Sequence, residues 1–277
     1  MLAYYIHHLS PFLVRFSENF GIRYYGLAYA VGFLLLYFGL RWQARRGWSR
    51  LRGDAIGDYV TWLALAGVLA GGRLGYCLAY DFAHTMRDPL SVIAFWRTGG
   101  LSGMASHGGI FGSILVMIFF ARARGIPFYN LADATALIAP LTLGIGRIAN
   151  FINGELWGRP ATVPWAVLFP QAPDGGTVPR HPSQLYQAGL EGFFLFAVLL
   201  ALRFKTKRDG VVSLSFCAGY AVLRIVGEQF REPDHQHFLF GPVTQGQFLS
   251  ALLLAAAGFL AWRQWGADGG AKKSGEA

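Results

Sequence analysis

The fourteen residues from Gly146 to Arg159 hold five side chains able to do chemistry: Arg147, Asn150, Asn153, Glu155 and Arg159. They follow an apolar run in which almost nothing is charged. Guanidinium groups grip phosphates and carboxylates with a planar fork, and asparagine offers both a donor and an acceptor. The stretch therefore reads as an anion-recognition site. Arg147, Asn150 and, a turn further on, Glu155 share one face if the preceding helix continues, since residues three or four apart are neighbours on a helix. Gly154 and Gly158 would then end or bend it. The blander reading is that these residues satisfy one another at a helix end. An ionisable group at membrane depth is costly, and there the balance moves toward function.

The elements that must position this stretch are membrane spans. Hydrophobic residues make up 54% of the 277-residue chain and charged residues only 14%, against about 25% charged for an average soluble domain. The chain has 36 glycines and 16% aromatic residues, which suits close helix packing and interfacial anchoring in lipid. Seven spans are expected, at about 24–40, 59–80, 107–121, 131–148, 183–202, 211–228 and 245–262. The fold class is all-α and polytopic: one integral membrane domain over 1–266, with a flexible cytoplasmic tail at 267–277. Residues 1–22 show no cleavable signal and read as an amphipathic surface helix, with Leu9, Phe12, Leu13, Phe16 and Phe20 on one side. Pro89 and the glycines at 99, 100 and 103 argue against regular helix between 81 and 106. The glycine- and proline-rich stretch 153–182 forms a small periplasmic cap.

Basic residues fix the topology. Arg41, Arg45, Arg46, Arg50 and Arg52 follow the first span, Arg122 and Arg124 the third, Arg203, Lys205, Lys207 and Arg208 the fifth, and Arg263, Lys272 and Lys273 the seventh. Basic flanks stay in the cytoplasm, so the N-terminus lies outside and the C-terminus inside. The formal net charge of +9 thus reports orientation in a bilayer, and no nucleic-acid partner is expected. Cys77 and Cys217 sit in apolar segments and read as packing residues.

On this topology Arg73, His107, Arg147, Asn150, Glu155, Arg159, His181, Gln184, Tyr220, Arg224, Glu228 and Arg231 collect at the outer face. Glu155 and Glu228 are the expected partners of some arginines, and an anionic ligand would balance the rest. Tyr220 and Arg224 are four apart, so a phenol and a guanidinium address one bound group. His107, at the start of a span, is a candidate acid or base near neutral pH. Zinc, nucleophile-elbow and phosphate-loop motifs are absent from the sequence. The site is expected to need neither metal nor cofactor.

The stretch 146–159, together with Ser106–Gly109, Arg180–Tyr186, Phe230–Asp234 and Arg23–Leu27, closely resembles the bacterial phosphatidylglycerol:prolipoprotein diacylglyceryl transferase family, from about Tyr24 to Trp262. The resemblance implies transfer of a diacylglyceryl group from phosphatidylglycerol to the lipobox cysteine of a prolipoprotein, with release of glycerol 1-phosphate at the outer face of the inner membrane. It gives Arg147 and Arg224 the lipid phosphate and gives His107 the thiol proton; Tyr220 polarised by Arg224, or water, is a rival base. Tyr25, Arg73, Asn150, Asn153, Glu155, Gly158, Arg159, Glu228 and Arg231 would bind or frame the substrates. Two positions depart from the family pattern: Ser106 after Gly103-Met104-Ala105, where an aromatic residue usually precedes the histidine, and Gln187, where an acid is common. The alternative class is an anion or lipid transporter whose arginines line a path.

Overall fold

The computed structural model describes residues 4–17, 21–93, 103–232, 238–240 and 243–273. In chain order its elements are β1 (Tyr5–Ile6), β2 (Phe12–Arg15), β3 (Gly21–Arg23) and α1 (Tyr24–Arg45). Helix α2 (Ala55–Trp62) runs through a π-helical stretch, Leu63–Ala70, into α3 (Gly71–Ala79). After α4 (Phe82–Arg87) and a 3-10 turn at Pro89–Val92 come α5 (Ser106–Ala123), α6 (Phe128–Asn153), β4 (Val167–Leu168) and β5 (Pro179–Arg180). Helix α7 (Ser183–Gln187) continues through a second π-helical stretch, Ala188–Phe194, into α8 (Leu195–Lys205); α9 (Val211–Glu228), β6 (Phe238–Phe240), β7 (Val243–Thr244) and α10 (Gln245–Lys273) complete the order.

Among the described residues seven helices are long and apolar enough to cross a membrane: Tyr24–Arg45, Ala55–Ala79, Ser106–Ala123, Phe128–Asn153, Ser183–Lys205, Val211–Glu228 and Gln245–Trp265. Each begins within four residues of its sequence expectation. Their outward faces are apolar: Phe38, Trp62, Phe111 and Phe119 are all more than half exposed, which lipid tolerates and water does not. The chain is therefore a multi-pass membrane protein. It divides into two compact units, Met1–Leu36 with Asp133–Ala277, and Tyr37–Ala132.

In the second unit glycines let backbones touch. A Cβ on Gly71 would stand 2.7 Å from the Gly108 carbonyl oxygen, and one on Gly75 would stand 2.6 Å from Gly108 Cα. Small residues at helix crossings maximise van der Waals packing where lipid removes the hydrophobic drive. The stretch after α3 corrects the expectation of irregular chain, since α4 and the 3-10 turn occupy it. The cause is Arg73, whose Nη2, Nε and Nη1 donate to the carbonyls of Ser91 (2.5 Å), Val92 (3.0 Å) and Gly103 (3.2 Å), while Pro89 sits at the first turn, where no N–H is needed. Residues 99 and 100 lie outside the described residues.

The N-terminal segment of the first unit is not the expected surface helix over 1–22. Pro11 cannot continue a helical ladder, and the β-formers Phe12, Leu13, Val14 and Ile22 favour an extended chain. Thus β2 and β3 pair antiparallel, with Phe12 opposite Arg23, and β1 pairs in parallel with β4. Of the residues given to that helix's apolar side, Phe12 is buried whereas Leu9, Leu13 and Phe16 are exposed. Phe20 lies outside the described residues, as do Pro233 and Asp234 of the Phe230–Asp234 motif. Helix α10 also departs from expectation, running through Lys273 where a flexible tail was expected from 267. No proline interrupts its ladder; residues 274–277 lie outside the described residues.

The stretch 153–182 contributes β4 and β5 to a small sheet ordered β1-β4-β5. Val167, Phe169 and Ala172 form its core, packed against Phe151 and Trp157. His7 donates from Nε2 to the Phe151 carbonyl at 2.7 Å and stacks on Phe169. Arg180 ties the far edge together, donating to Asp174 (2.5 and 2.9 Å), Glu232 (3.2 Å) and the Gly158 carbonyl (3.2 Å). Burial opposes ionisation of Asp174, but the Arg180 hydrogen bonds outweigh it and hold this carboxyl below its ordinary range. Burial lowers the pKa of both His7 and His181.

This packing has two measurable outcomes. Gly71→Val forces backbone apart and should cost about 1–3 kcal/mol, read as a lower Tm in detergent, whereas Gly57→Ala, with nothing within 4 Å of the added carbon, should leave Tm level or raise it. A histidine held neutral in the fold contributes stability that is complete above its unfolded pKa of about 6.5 and is lost as pH falls through the lower folded value. Tryptophan fluorescence, with Trp157 and Trp165 as the local reporters, should change as pH drops below about 6.5, and a His7→Gln/His181→Gln variant should flatten that change.

Candidate active site

Helix α6 carries Arg147, Asn150 and Asn153 on its last two turns. Gly154, at φ +66°, stops it, a left-handed conformation that only glycine adopts freely. The chain then folds back, so that the Glu155 carboxylate accepts Asn150 Nδ2 at 2.7 Å and Asn153 Nδ2 at 3.3 Å. The Glu155 carbonyl accepts Gln184 Nε2 at 2.6 Å, and Ser183 Oγ donates to the Leu156 carbonyl at 3.0 Å. These hydrogen bonds are the mutual satisfaction that the blander sequence reading describes. They fasten the end of α6 to the start of α7, and among the described residues Glu155 pairs with no arginine.

Arg147 does something else. Its Nη2 lies 3.4 Å from Glu191 Oε2, and the other oxygen of the same carboxylate, Oε1, lies 3.5 Å from Arg224 Nη1. Arg224 Nη2 in turn pairs with Glu228 Oε2 at 2.8 Å, one helical turn along α9, and Thr244 Oγ1 donates to Glu228 Oε1 at 3.3 Å. Tyr220 interacts with Glu191, Arg147 and Arg224. A chain of four charged side chains thus crosses from α6 through the second π-helical stretch to α9.

Glu191 is wholly buried and Glu228 and Arg224 nearly so, while the Arg147 side chain keeps 17% of its surface exposed. Buried charges must be paired, because desolvation costs several kcal/mol per ion. Two arginines and two glutamates balance one another within this network. The two contacts to Glu191 are long beside the roughly 2.7–2.9 Å of a strong charge-assisted bond. Each guanidinium carries five donors, so capacity remains for an anion at Arg147, the member that meets solvent.

The other expected site residues sort by place. Gly158 is buried in the cap: its N–H donates to the His181 carbonyl at 2.9 Å, and a Cβ there would stand 2.5 Å from the Phe230 carbonyl oxygen. Exposed Arg159 donates from Nε to the Arg231 carbonyl at 3.0 Å, so Arg159 and Arg231 join the cap to the end of α9. Tyr25 lies in the first turn of α1 and packs edge-on against Tyr29. Arg73 and His107 belong to the second unit. Arg73 is buried there on backbone carbonyls, and His107 is exposed on the first turn of α5.

Glu191 is the residue that sequence reasoning missed. Its signal was present: it is the sole acid between Ser183 and Lys205, and an ionisable group inside an apolar span is a functional candidate by default. Asp133 was also missed, but its role is structural. It is buried and accepts Gly210 N, Ser213 N and Ser213 Oγ at 2.8, 2.8 and 2.6 Å, satisfying the orphan donors at the start of α9.

Fold and site together define a polytopic membrane protein with a buried arginine–glutamate network beneath a small cap. The pattern of the prolipoprotein diacylglyceryl transferase family matches residues 11–263, and the chain belongs to that family. Proteins named phosphatidylglycerol–prolipoprotein diacylglyceryl transferase from Brucella anthropi and Brucella canis are 43% identical to it, over 267 and 266 residues. One from Brucella ovis is 44% identical over 266 residues. In each case the alignment covers 92% of both chains.

Removing the shared carboxylate should unbalance the network. Glu191→Ala leaves Arg147 and Arg224 facing a void and should destabilise the fold by about 3–5 kcal/mol. Thermal unfolding in micelles would read it, and a Tm equal to the parent's would show that the arginines find other partners.

Proposed function

We propose that this chain transfers the diacylglyceryl group of phosphatidylglycerol to the thiol of the lipobox cysteine of prolipoproteins, forming a thioether and releasing glycerol 1-phosphate. This would be the first step of lipoprotein maturation, carried out in a bacterial inner membrane with the site toward the periplasm. Family membership supports the reaction, the basic flanks of the spans support the orientation, and Arg147 at the open end of a buried charge network is the observation that carries the site.

The chemistry makes two demands. The cysteine thiol must lose its proton, since the thiolate is the nucleophile, and attack the glycerol carbon bonded to the phosphate oxygen. As the carbon–sulfur bond forms, the carbon–oxygen bond breaks and its electron pair stays on the phosphate. Charge thus grows on the leaving group, where preorganised donors in a water-poor site lower the barrier. Arg147 and Arg224 supply such donors, and Glu191 and Glu228 hold their guanidiniums in place before substrate arrives. Asn150, Asn153 and Glu155 fix the end of α6 and so the aim of Arg147. The family resemblance gives the proton to His107, with Tyr220 as the competing base. Both substrates would enter sideways from the bilayer, past faces lined with small residues.

Thioether formation on a lipobox peptide, followed by mass spectrometry with purified protein and phosphatidylglycerol, tests the reading. Arg147→Ala and Arg224→Ala should each lower transfer by about a hundredfold or more. His107→Ala should fall similarly if His107 takes the proton, and Tyr220→Phe if the phenol does. A folded parent that binds phosphatidylglycerol but transfers nothing would overturn the assignment. The transporter alternative draws no support from the relatives, which carry the transferase name.

A further inference from the structure

The paired strands β2 and β3 carry a charge arrangement that the transfer reaction does not use. Arg15 and Arg23 both stack on the ring of Phe12, each with its guanidinium carbon 4.8 Å from the ring centroid. Arg23 is the cross-strand partner of Phe12, and a register shift between Phe12 and Val14 breaks the alternation of faces and lets Arg15, three residues along, reach the same ring. Two cations on one ring cannot be further apart than twice that distance. Among the described residues no carboxylate lies within ion-pairing distance of either. Like charges so placed repel, and an anion between them would convert the repulsion into attraction.

Their depth is set by the helix that comes next. Strand β3 ends at Arg23 and α1 starts at Tyr24 with no linker, and Tyr24 N–H donates to the Pro11 carbonyl at 3.1 Å. Helix α1, with 22 residues, is about 33 Å long, enough to cross a hydrocarbon core of about 30 Å. The two strands consequently sit at headgroup level. Their outward side chains suit that depth: Leu13, Val14 and Ile22 are more than 40% exposed, and Phe16 is 64% exposed. In water this would be a sticky patch, whereas at the headgroup boundary apolar side chains beside arginines are the ordinary arrangement. Beside the ring lies a cavity of about 200 Å³ lined by Leu9, Ser10, Phe12, Tyr24 and Ile152. Ile152 belongs to α6, the helix that carries Arg147.

We infer that the β2–β3 strands form a docking site for an anionic phospholipid of the surrounding bilayer, with Arg15 and Arg23 on the lipid phosphate and Leu13, Val14, Phe16 and Ile22 in the headgroup–acyl boundary. The site is distinct from the arginine–glutamate network and holds lipid without reacting with it. Guanidinium forks stacked on an aromatic ring are preorganised for phosphate, and a neutral zwitterionic lipid would gain less from two cations than an anionic one.

The test reads lipid contact and needs no transfer, so it stands even if the transferase reading fails. Full-length protein carrying Arg147→Ala, to remove the network's own anion contact, is placed in phosphatidylcholine nanodiscs with a trace of spin-labelled phosphatidylglycerol or phosphatidylcholine. The motionally restricted fraction is measured for each label. Restriction should be greater for phosphatidylglycerol, and adding Arg15→Gln/Arg23→Gln should cut that excess at least twofold while leaving the phosphatidylcholine signal unchanged. Inorganic phosphate at constant ionic strength should leave the excess in place; displacement by it would assign the arginines to a free anion and overturn the lipid site. An undiminished excess in the folded double variant would overturn it too. Should that variant not fold, the parent is titrated with salt, which screens charges at an exposed headgroup site, and an excess that does not shrink would count against the proposal.

Discussion

One carboxylate sets the terms for the site. Glu191 is buried between two arginines on different helices, and it offsets the desolvation cost of their charges. Because its two oxygens face different partners, the carboxylate fixes the distance between α6 and α9 as well as their charge balance. Glu228 adds a second hold on Arg224, with Thr244 behind it. The result is a guanidinium pair that is oriented before any ligand arrives. Preorganisation of this kind makes an electrostatic site effective, since no donors have to be reoriented while charge develops.

The rest of the first unit keeps that network in register. Gly144 and Gly192 let α6 approach the second π-helical stretch: a Cβ on Gly192 would stand 2.7 Å from Gly144 Cα. That contact lies close in sequence to both Arg147 and Glu191. At the end of α6 the Asn150, Asn153 and Glu155 bonds turn the chain into the cap, where Arg180 and Gly158 bind it to the segment after α9. Hydrogen bonds thus tie the helix end, the cap and the α9 exit together.

Much of this was legible in the sequence, for physical reasons. Apolar runs of span length and basic flanks are averages over many residues, so the seven helices and their starts survive local errors. Arg147, Tyr220 and Arg224 stood out because polar groups in apolar surroundings demand a partner. The partner was harder to name. Glu191 lies 33 residues from Arg224, and no local spacing connects them; Glu228 was found because it is one turn away. The N-terminal strands were misread because the apolar residues at 9, 12, 13 and 16 fit a helical period, whereas Pro11 and pairing with distant residues decide for extended chain. Arg73 shows the same limit from the other side: its place among the polar residues at the outer face suggested a ligand, while the carbonyls it holds come from Ser91, Val92 and Gly103, which no local spacing links to it.

The π-helical stretch from Ala188 to Phe194 makes the count of residues as important as their identity. A π turn closes its hydrogen bond one residue later than an α turn, so the span accommodates one more residue than a regular helix would between the same two neighbours. Glu191 sits inside that widened segment. Deleting one residue there would close the segment to α geometry while Ser183–Gln187 and Leu195–Lys205 keep near their present register, so the re-aiming falls on the residues inside the segment, Glu191 among them. The carboxylate would then leave the arginines. For a lineage carrying this fold, substitution on the lipid-facing side of α8 is a tolerant route of change, while a single-codon deletion across the π segment is a closed one.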